Sequence, residues 1–583
     1  MMDFEIKDIK IEERKNGSTF IKLPELSEAE KSIIDPIVAP TSGFRIEIFD
    51  IKKEGDNEKY YLNNRRLFLF FRIFKAISQK YRELKNNQNL KILIVTDNRP
   101  SKDILLKYCS KIFAYDGFEI YYQTDDEGES KASSPYGAAS VALYDDINLV
   151  FVLTASHNEL SWNGIKFYID YPMPMSGGFV KDISKKALNV KEIPLKLDFT
   201  PISIDVEKKN NEYVMNLLSK VIEIKNIRGK NIVIWPYLGR ARGIYNLFKH
   251  YGANITLIEE DMNPPNPLKN IQEEKLQKVM LEKNSDIAIL LDADRDRIVL
   301  YIKQNGEYFT YIPNEIYSAM HNILAKDYHK RIINVRTIPS DLRSDETSFL
   351  NIFCGVGYKH LGAIMYFLLG MEVEKSKIDT AILYMEDENK KLIKINTANP
   401  LKEKVISLMK NKNIEEEQFV VVLWEESGGH TINIVHVKKS PTGEYRFSMD
   451  LPLIADKYPV PALVLITELV CSGYTISKSI DWSIVGINRT IHAKDEQKVK
   501  VMRQFKDNDG KILHIGEKDY EISALSDNTN MIDIYQLKSH DSTLYFRPSG
   551  TGPEIRFYIF AKRDTFLEEI KKVEEYIKTR YLD

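Results

Sequence analysis

Two rhythms of apolar and polar positions run along the chain. Short runs dominated by Val, Ile, Leu and Phe, at residues 91–97, 118–123, 148–152, 231–235, 254–258, 285–291, 331–335 and 419–423, have the length and composition of buried strands. Elsewhere apolar residues recur at helical spacing, as in 67–77, 102–113 and 245–250, the last stopped by Gly252, and again in 565–580. Strand, turn and helix in alternation predict layered α/β domains with ligands at the strand ends. Asn305-Gly306, between runs at 298–303 and 308–312, predicts a hairpin with a primed turn. The segment before Pro40 is charged and reads as irregular. The most apolar run, 460–471, contains Glu468 and is too short to cross a bilayer, so it reads as a buried helix with Pro461 in its first turn.

Bulk properties narrow the function classes. At 583 residues the chain exceeds one core, and its length predicts about four domains. Breaks in the rhythm set these at 1–200, 201–328, 329–481 and 482–583. Charged residues make up 28% of the chain and balance to a net charge of -2, which indicates neither a nucleic-acid surface nor an acidic tail and favours a small-molecule or protein partner. The three cysteines, Cys109, Cys354 and Cys471, are scattered and offer no disulfide framework or CxxC metal site. The N-terminus lacks the apolar core of a signal peptide, so a cytoplasmic protein without a membrane anchor is expected. Nothing in the sequence separates a monomer from a dimer.

Four stretches carry candidate chemistry. The strand at 148–152 runs into Thr154-Ala155-Ser156-His157-Asn158, with Asn163-Gly164-Ile165-Lys166 beyond, and so presents a serine in a small, polar, permissive loop. Asp292-Ala293-Asp294-Arg295-Asp296-Arg297 also follows an apolar strand. Its alternating carboxylates repel one another; a hard divalent cation such as Mg²⁺ relieves this, or else Arg295 and Arg297 neutralise a solvated turn. The strand at 419–423 delivers Trp424-Glu425-Glu426-Ser427-Gly428-Gly429-His430, whose carboxylate and hydroxyl groups can bond vicinal sugar hydroxyls. Arg547-Pro548-Ser549-Gly550-Thr551-Gly552-Pro553-Glu554-Ile555-Arg556 combines permissive backbone, hydroxyl donors and forked charge, the makings of a phosphate cradle.

In this order the four stretches resemble the loops of the α-D-phosphohexomutases, the family of phosphoglucomutases and phosphomannomutases. Thr41-Ser42-Gly43-Phe44-Arg45 is similar to a stretch near the family's start, with Pro40 in place of its first glycine, and Gly355-Val356-Gly357-Tyr358-Lys359 resembles a family loop whose lysine reaches substrate. Asp97-x-Arg99-x-Ser101 and Ser134-Pro135 match as well. The resemblance implies three similar mixed-sheet α/β domains and a smaller α+β C-terminal domain around a central cleft. It implies that Ser156 carries the phosphoryl group, with Lys166, His157 and Arg45 as further catalytic residues, and that Asp292, Asp294 and Asp296 hold Mg²⁺ together with a Ser156 phosphate oxygen. Arg297, Gly357 and Lys359 then meet substrate, Glu425 and Ser427 bind the sugar's O3 and O4, and Arg547, Ser549, Gly550, Thr551 and Arg556 hold the distal phosphate. Lys166 is the implied general acid/base, a role that calls for burial near the metal to lower its pKa. Gly429 displaces His430 from the family's position, and Gly552 replaces a common Glu. The implied reaction interconverts hexose 1-phosphate and hexose 6-phosphate, glucose ahead of mannose, through a hexose 1,6-bisphosphate that is both intermediate and activator. Phosphopentomutase or phosphoglucosamine mutase activity and a catalytically silent binding protein are alternatives. So is a haloacid-dehalogenase-type enzyme with Asp292 as nucleophile, although Asp296 stands where that family wants Thr or Val.

Overall fold

Strands that read as uninterrupted apolar runs need a covering layer on both faces. In the computed structural model, which describes residues 3–36, 43–54, 57–123, 132–175, 178–371, 383–386, 392–395, 398–526, 532–548 and 554–582, such strands form the interiors of three mixed sheets. The first runs in the order Ile202–Ile204, Glu119–Gln123, Lys91–Thr96, Leu149–Leu153, Trp162–Ile169, Phe44–Glu47; its first four strands are parallel, and Trp162–Ile169 is antiparallel to the neighbour on each side. In the second, Asn254–Leu257, Asn231–Trp235 and Ile287–Leu291 are parallel, and Ile298–Gln304 and Glu307–Tyr311 follow antiparallel. The third has Leu350–Cys354, Arg331–Thr337 and Glu416–Trp424 parallel at its centre, with His430–Lys439 antiparallel beside the last of them.

One device recurs in all three. A buried parallel strand returns at once through an antiparallel neighbour instead of crossing over through a helix. The short connections are residues 154–161, 292–297 and 425–429, which are the chemical stretches of the sequence. A fourth, wholly antiparallel sheet contains Ile484–His492, Glu554–Lys562 and Thr543–Pro548, and the helices Asp495–Asp507 and Phe566–Ile577 pack on it through Val501, Phe505, Val573 and Ile577.

Several expected elements are present. Asn305 and Gly306 take φ of 52° and 87°, the left-handed pair of a primed turn. The helix Val460–Cys471 starts with its proline in the first turn, and its one carboxylate, Glu468, is buried. Glu468 accepts the backbone N–H of Asn226 at 2.9 Å and of Ile227 at 3.0 Å, so the charge in an apolar helix ties that helix to the second sheet's entry segment. Among the described residues no helix is long and apolar enough to cross a membrane.

The reading of the N-terminal segment as irregular is corrected. Asp3–Glu5 pairs with Asn57–Leu62, Thr19–Lys22 pairs with Glu192–Leu195, and Ser27 caps the helix Glu28–Ile34 in a capping box. The strands are short and their partners distant in sequence, so no local period announces them. Likewise Ser134-Pro135 opens the helix Ser134–Leu143, and Tyr358 and Lys359 open Tyr358–Leu369 rather than continuing a loop.

Candidate active site

Ser156 sits in the first connection with φ of 54°, a left-handed conformation that costs a non-glycine residue about 1–2 kcal/mol and persists only where its surroundings enforce it. The enforcement comes from below. Thr154 Oγ1 donates to Asp97 Oδ2 at 2.6 Å and accepts the Ser156 N–H at 2.9 Å. The guanidinium of Arg99, fully buried, pairs with Asp97 at 3.1 Å and donates to four backbone carbonyls in and just after the loop: Ser156, Asn158 at 2.9 Å, Glu159 at 2.6 Å and Trp162 at 3.0 Å. Ser156 Oγ thereby points across to the second sheet, 3.4 Å from Asp292 Oδ2, with His157 Nδ1 3.2 Å away on the other side. Burial, with the charges of Arg297 and Arg45 added, holds the His157 imidazole far below its usual pKa, so it is neutral.

Arg45 arrives from the strand that pairs with Asn163-Gly164, and its guanidinium donates to Asn158 Oδ1 at 3.1 Å. The approach depends on glycine: a Cβ at Gly164 would stand 2.4 Å from the Thr154 carbonyl oxygen, and one at Gly43 1.9 Å from that of Ile165. Of the stretch leading to Arg45, Thr41 and Ser42 lie outside the described residues.

The three aspartates converge. Asp292, Asp294 and Asp296 are buried, and one carboxylate oxygen of each lies within 4.8 Å of the others. Asp292 Oδ1 accepts the N–H groups of Asp296 at 3.0 Å and Arg297 at 3.1 Å, whereas Asp294 Oδ1 and Asp296 Oδ1 are buried without a hydrogen-bond donor. Buried carboxylate oxygens without donors are costly unless a cation takes them, and an all-oxygen set suits a hard divalent ion, so the residues fit Mg²⁺. Arg295 turns away to the Leu238 carbonyl, while Arg297 Nε stands 3.7 Å from both Asp292 and Asp296. Burial and the neighbouring Asp294 and Asp296 raise Asp292 well above the usual carboxylate range. Asp296 is pulled well below it, because Lys457, Lys166 and Arg297 outweigh its burial.

Lys166 reaches into this cluster: its ammonium lies 2.6 Å from Asp294 Oδ2, 3.1 Å from Asp296 Oδ2 and 2.9 Å from Ser134 Oγ. The expectation of a lowered pKa is corrected. Burial does pull it down, but Asp294, Asp296 and Asp456 outweigh that, and the net shift is upward. In this arrangement Lys166 is a held positive charge.

The third connection meets the second. A Cβ at Gly428, whose φ is 113°, would touch the Arg297 side chain at 3.2 Å, and the Tyr317 hydroxyl donates to the Gly428 carbonyl at 2.5 Å. Glu425 accepts from the Ser427 hydroxyl and pairs with Lys457 at 2.6 Å. Lys457 also stands 3.8 Å from Asp296, which makes it a bridge between the second and third loops that the sequence reading missed; Asp456-Lys457 matches no pattern that would have marked it. The inserted Gly429 has its room taken by Lys457, 2.8 Å from where a Cβ would stand. His430 lies beneath, buried, its Nε2 2.9 Å from that of His321, and so faces away from the cleft. Gly357 caps the helix Tyr358–Leu369, and the Tyr358 hydroxyl donates to Leu423 O at 2.8 Å beside the third connection; the Lys359 side chain is outside the described residues.

Of the fourth stretch, Ser549, Gly550 and Thr551 lie outside the described residues. Arg547 and Arg556, on the strands either side, are direct cross-strand partners. Arg547 is among the charges that act on Glu426, so the C-terminal sheet comes up to the third loop.

Residues 64–193 match the family model for the phosphoglucomutase/phosphomannomutase α/β/α domain I. A phosphoglucosamine mutase of Ruthia magnifica subsp. Calyptogena magnifica is 31% identical over 164 residues, 27% of this chain and 36% of that protein. The chain spans about a third to a half of the length of the curated relatives it matches, 36%, 49% and 51% of the first three. Over nearly its whole length it superimposes on two solved structures. One is the parafusin phosphoglucomutase of Paramecium, with a TM-score of 0.59, 14% identity and 96% of each chain covered. The other is a phosphoglucomutase/phosphomannomutase family protein of Burkholderia thailandensis, with a TM-score of 0.57, 14% identity, and 94% of this chain and 98% of that one covered. Residues 64–193 are thus similar to the phosphoglucomutase/phosphomannomutase domain I, and the chain that carries them has the fold of these two solved structures.

Proposed function

We propose that the protein is a phosphohexomutase that exchanges a phosphoryl group between Ser156 and the two ends of a hexose phosphate, through a hexose 1,6-bisphosphate. The observation that carries the reading is the hydroxyl of Ser156, on a left-handed backbone, standing 3.4 Å from a buried aspartate triad in which Asp294 Oδ1 and Asp296 Oδ1 lack donors. On this reading the chain divides at about 200, 328 and 481, and each part brings one loop to the cleft.

Asp292, Asp294 and Asp296 would hold Mg²⁺, which supplies charge neutralisation for a phosphoryl group on Ser156. The chain's own residues do the rest. Arg45 and Arg297 add positive charge around the Ser156 hydroxyl, neutral His157 hydrogen-bonds it, and Lys166 carries a proton beside Asp294. Glu425 and Ser427 receive the sugar hydroxyls, and Arg547 and Arg556 hold the phosphate that is not reacting. The bisphosphate must then turn end over end before Ser156 takes back the other phosphoryl group. Glucose and mannose phosphates fit this description. Glucosamine phosphate does equally well, a second reading favoured by the phosphoglucosamine mutases among the sequence relatives.

The test has two parts. Coupled assays with glucose, mannose, glucosamine and ribose 1-phosphates in Mg²⁺ are expected to show turnover with one hexose well ahead of the rest. Peptide mapping is expected to find an acid-stable phosphate on Ser156; an acid-labile one on Asp292, or no turnover with any sugar, ends the reading. Within the same assay Lys457→Met, which strands Glu425 and uncovers Asp296, is expected to lower kcat/KM by about 10–100-fold, the loss of one charged hydrogen bond at the site.

A further inference from the structure

Glu426, in the third connection, lies against the C-terminal sheet. Its Oε2 accepts the Thr337 hydroxyl at 3.0 Å, and its carboxylate is the hydrogen-bond partner of the Tyr558 hydroxyl. The register of the C-terminal sheet explains what else it meets. Arg547 pairs directly with Arg556, and Tyr545 with Tyr558, so all four side chains emerge on one face of two adjacent strands. That face is the one that docks: Tyr545, Tyr558 and Phe560 pack against Ile338, Phe353 and Tyr384 of the third sheet. Two arginines directly opposite one another repel, and an anion near both relieves the repulsion. Glu554 on the same strand pairs with Arg556 at 2.8 Å, and Glu426, from the third sheet's side of the joint, is the anion whose charge acts on both Arg547 and Arg556.

We propose that Glu426 is a stand-in for the distal phosphate: it engages the arginine pair across the joint between the third and fourth sheets and weakens the hold of that pair on an incoming phosphate. The inference rests on the reading that Arg547 and Arg556 take the non-reacting phosphate. Its consequence for catalysis is release. A bisphosphate that must turn round in the cleft has to let go of the arginines, and a resident carboxylate that reoccupies their field makes letting go easier. Glu426 is on this view a positioning residue that trades phosphate affinity for turnover.

The probe is inorganic phosphate, titrated calorimetrically into the full-length protein without divalent cation. The cradle's contribution is the binding that Arg547→Gln removes. Glu426→Gln keeps an amide oxygen for Thr337 and Tyr558 but removes the charge, and is expected to lower the phosphate Kd by about fivefold. With the preferred sugar phosphate, kcat and KM should both fall. Tyr558→Phe leaves the charge but frees the carboxylate to compete, and is expected to raise the phosphate Kd by about twofold. A merely structural role would shift both variants in the same direction. A Kd in Glu426→Gln unchanged or higher overturns the proposal, as does a shift of both variants to weaker binding. If Arg547→Gln binds phosphate as the wild type does, the cradle reading itself fails and takes the proposal with it.

Discussion

Ser156→Ala is expected to abolish turnover, with a fall of about 10⁴-fold or more, because it removes the hydroxyl that stands 3.4 Å from Asp292 Oδ2. The same variant should lose its phosphopeptide. Its fold should survive: the hydroxyl's own contacts, 3.2 Å to His157 and 3.4 Å to Asp292, are long, and the loop is held by the backbone of Ser156 rather than by its side chain. A melting temperature within a few degrees of the wild type, together with turnover at the detection limit, separates loss of a nucleophile from loss of structure. Near-normal activity in this variant would remove Ser156 from the mechanism.

The largest effect on stability is expected one layer below, at Arg99→Met. The substitution roughly preserves volume but leaves Asp97 buried and unpaired and withdraws the donors of four carbonyls in and just after the loop. Breaking a buried pair by removing one partner costs about 3–5 kcal/mol, read as a shift of the urea midpoint. The cost depends on pH with a definite sign. Burial already raises the Asp97 pKa above its unfolded value, and Arg99 opposes that shift, so without Arg99 the pKa rises further. A carboxyl whose folded pKa is raised binds protons more readily in the folded state, so its penalty is full at neutral pH and fades as pH falls through the folded pKa. The stability gap between Arg99→Met and the wild type should therefore narrow on acidification. A gap independent of pH would mean that Asp97 is not the group left exposed to the loss.

These two residues divide the work of the first loop. On the proposed reading Ser156 presents the reacting hydroxyl at a cost in backbone strain; Arg99 supplies the hydrogen bonds that keep the strained turn from relaxing. The same division recurs elsewhere in the cleft. Gly428 takes a left-handed turn against Arg297, and Tyr317 pins its carbonyl.

What the sequence by itself determined was local. Apolar runs ending in Ser156, Asp292 and Glu425 located the strand ends, Asn305-Gly306 specified a primed turn, and the order of four short stretches pointed to one family, because strand length, turn chemistry and residue order are properties of neighbours along the chain. Only the tertiary structure decided that the first three chemical stretches each close a hairpin from a parallel strand, that Lys457 bridges Glu425 and Asp296, and that Lys166 keeps its proton. Those outcomes turn on Coulomb terms and backbone pairings between residues far apart in sequence. Such terms fall off with distance in space, and the linear order of residues does not contain that distance.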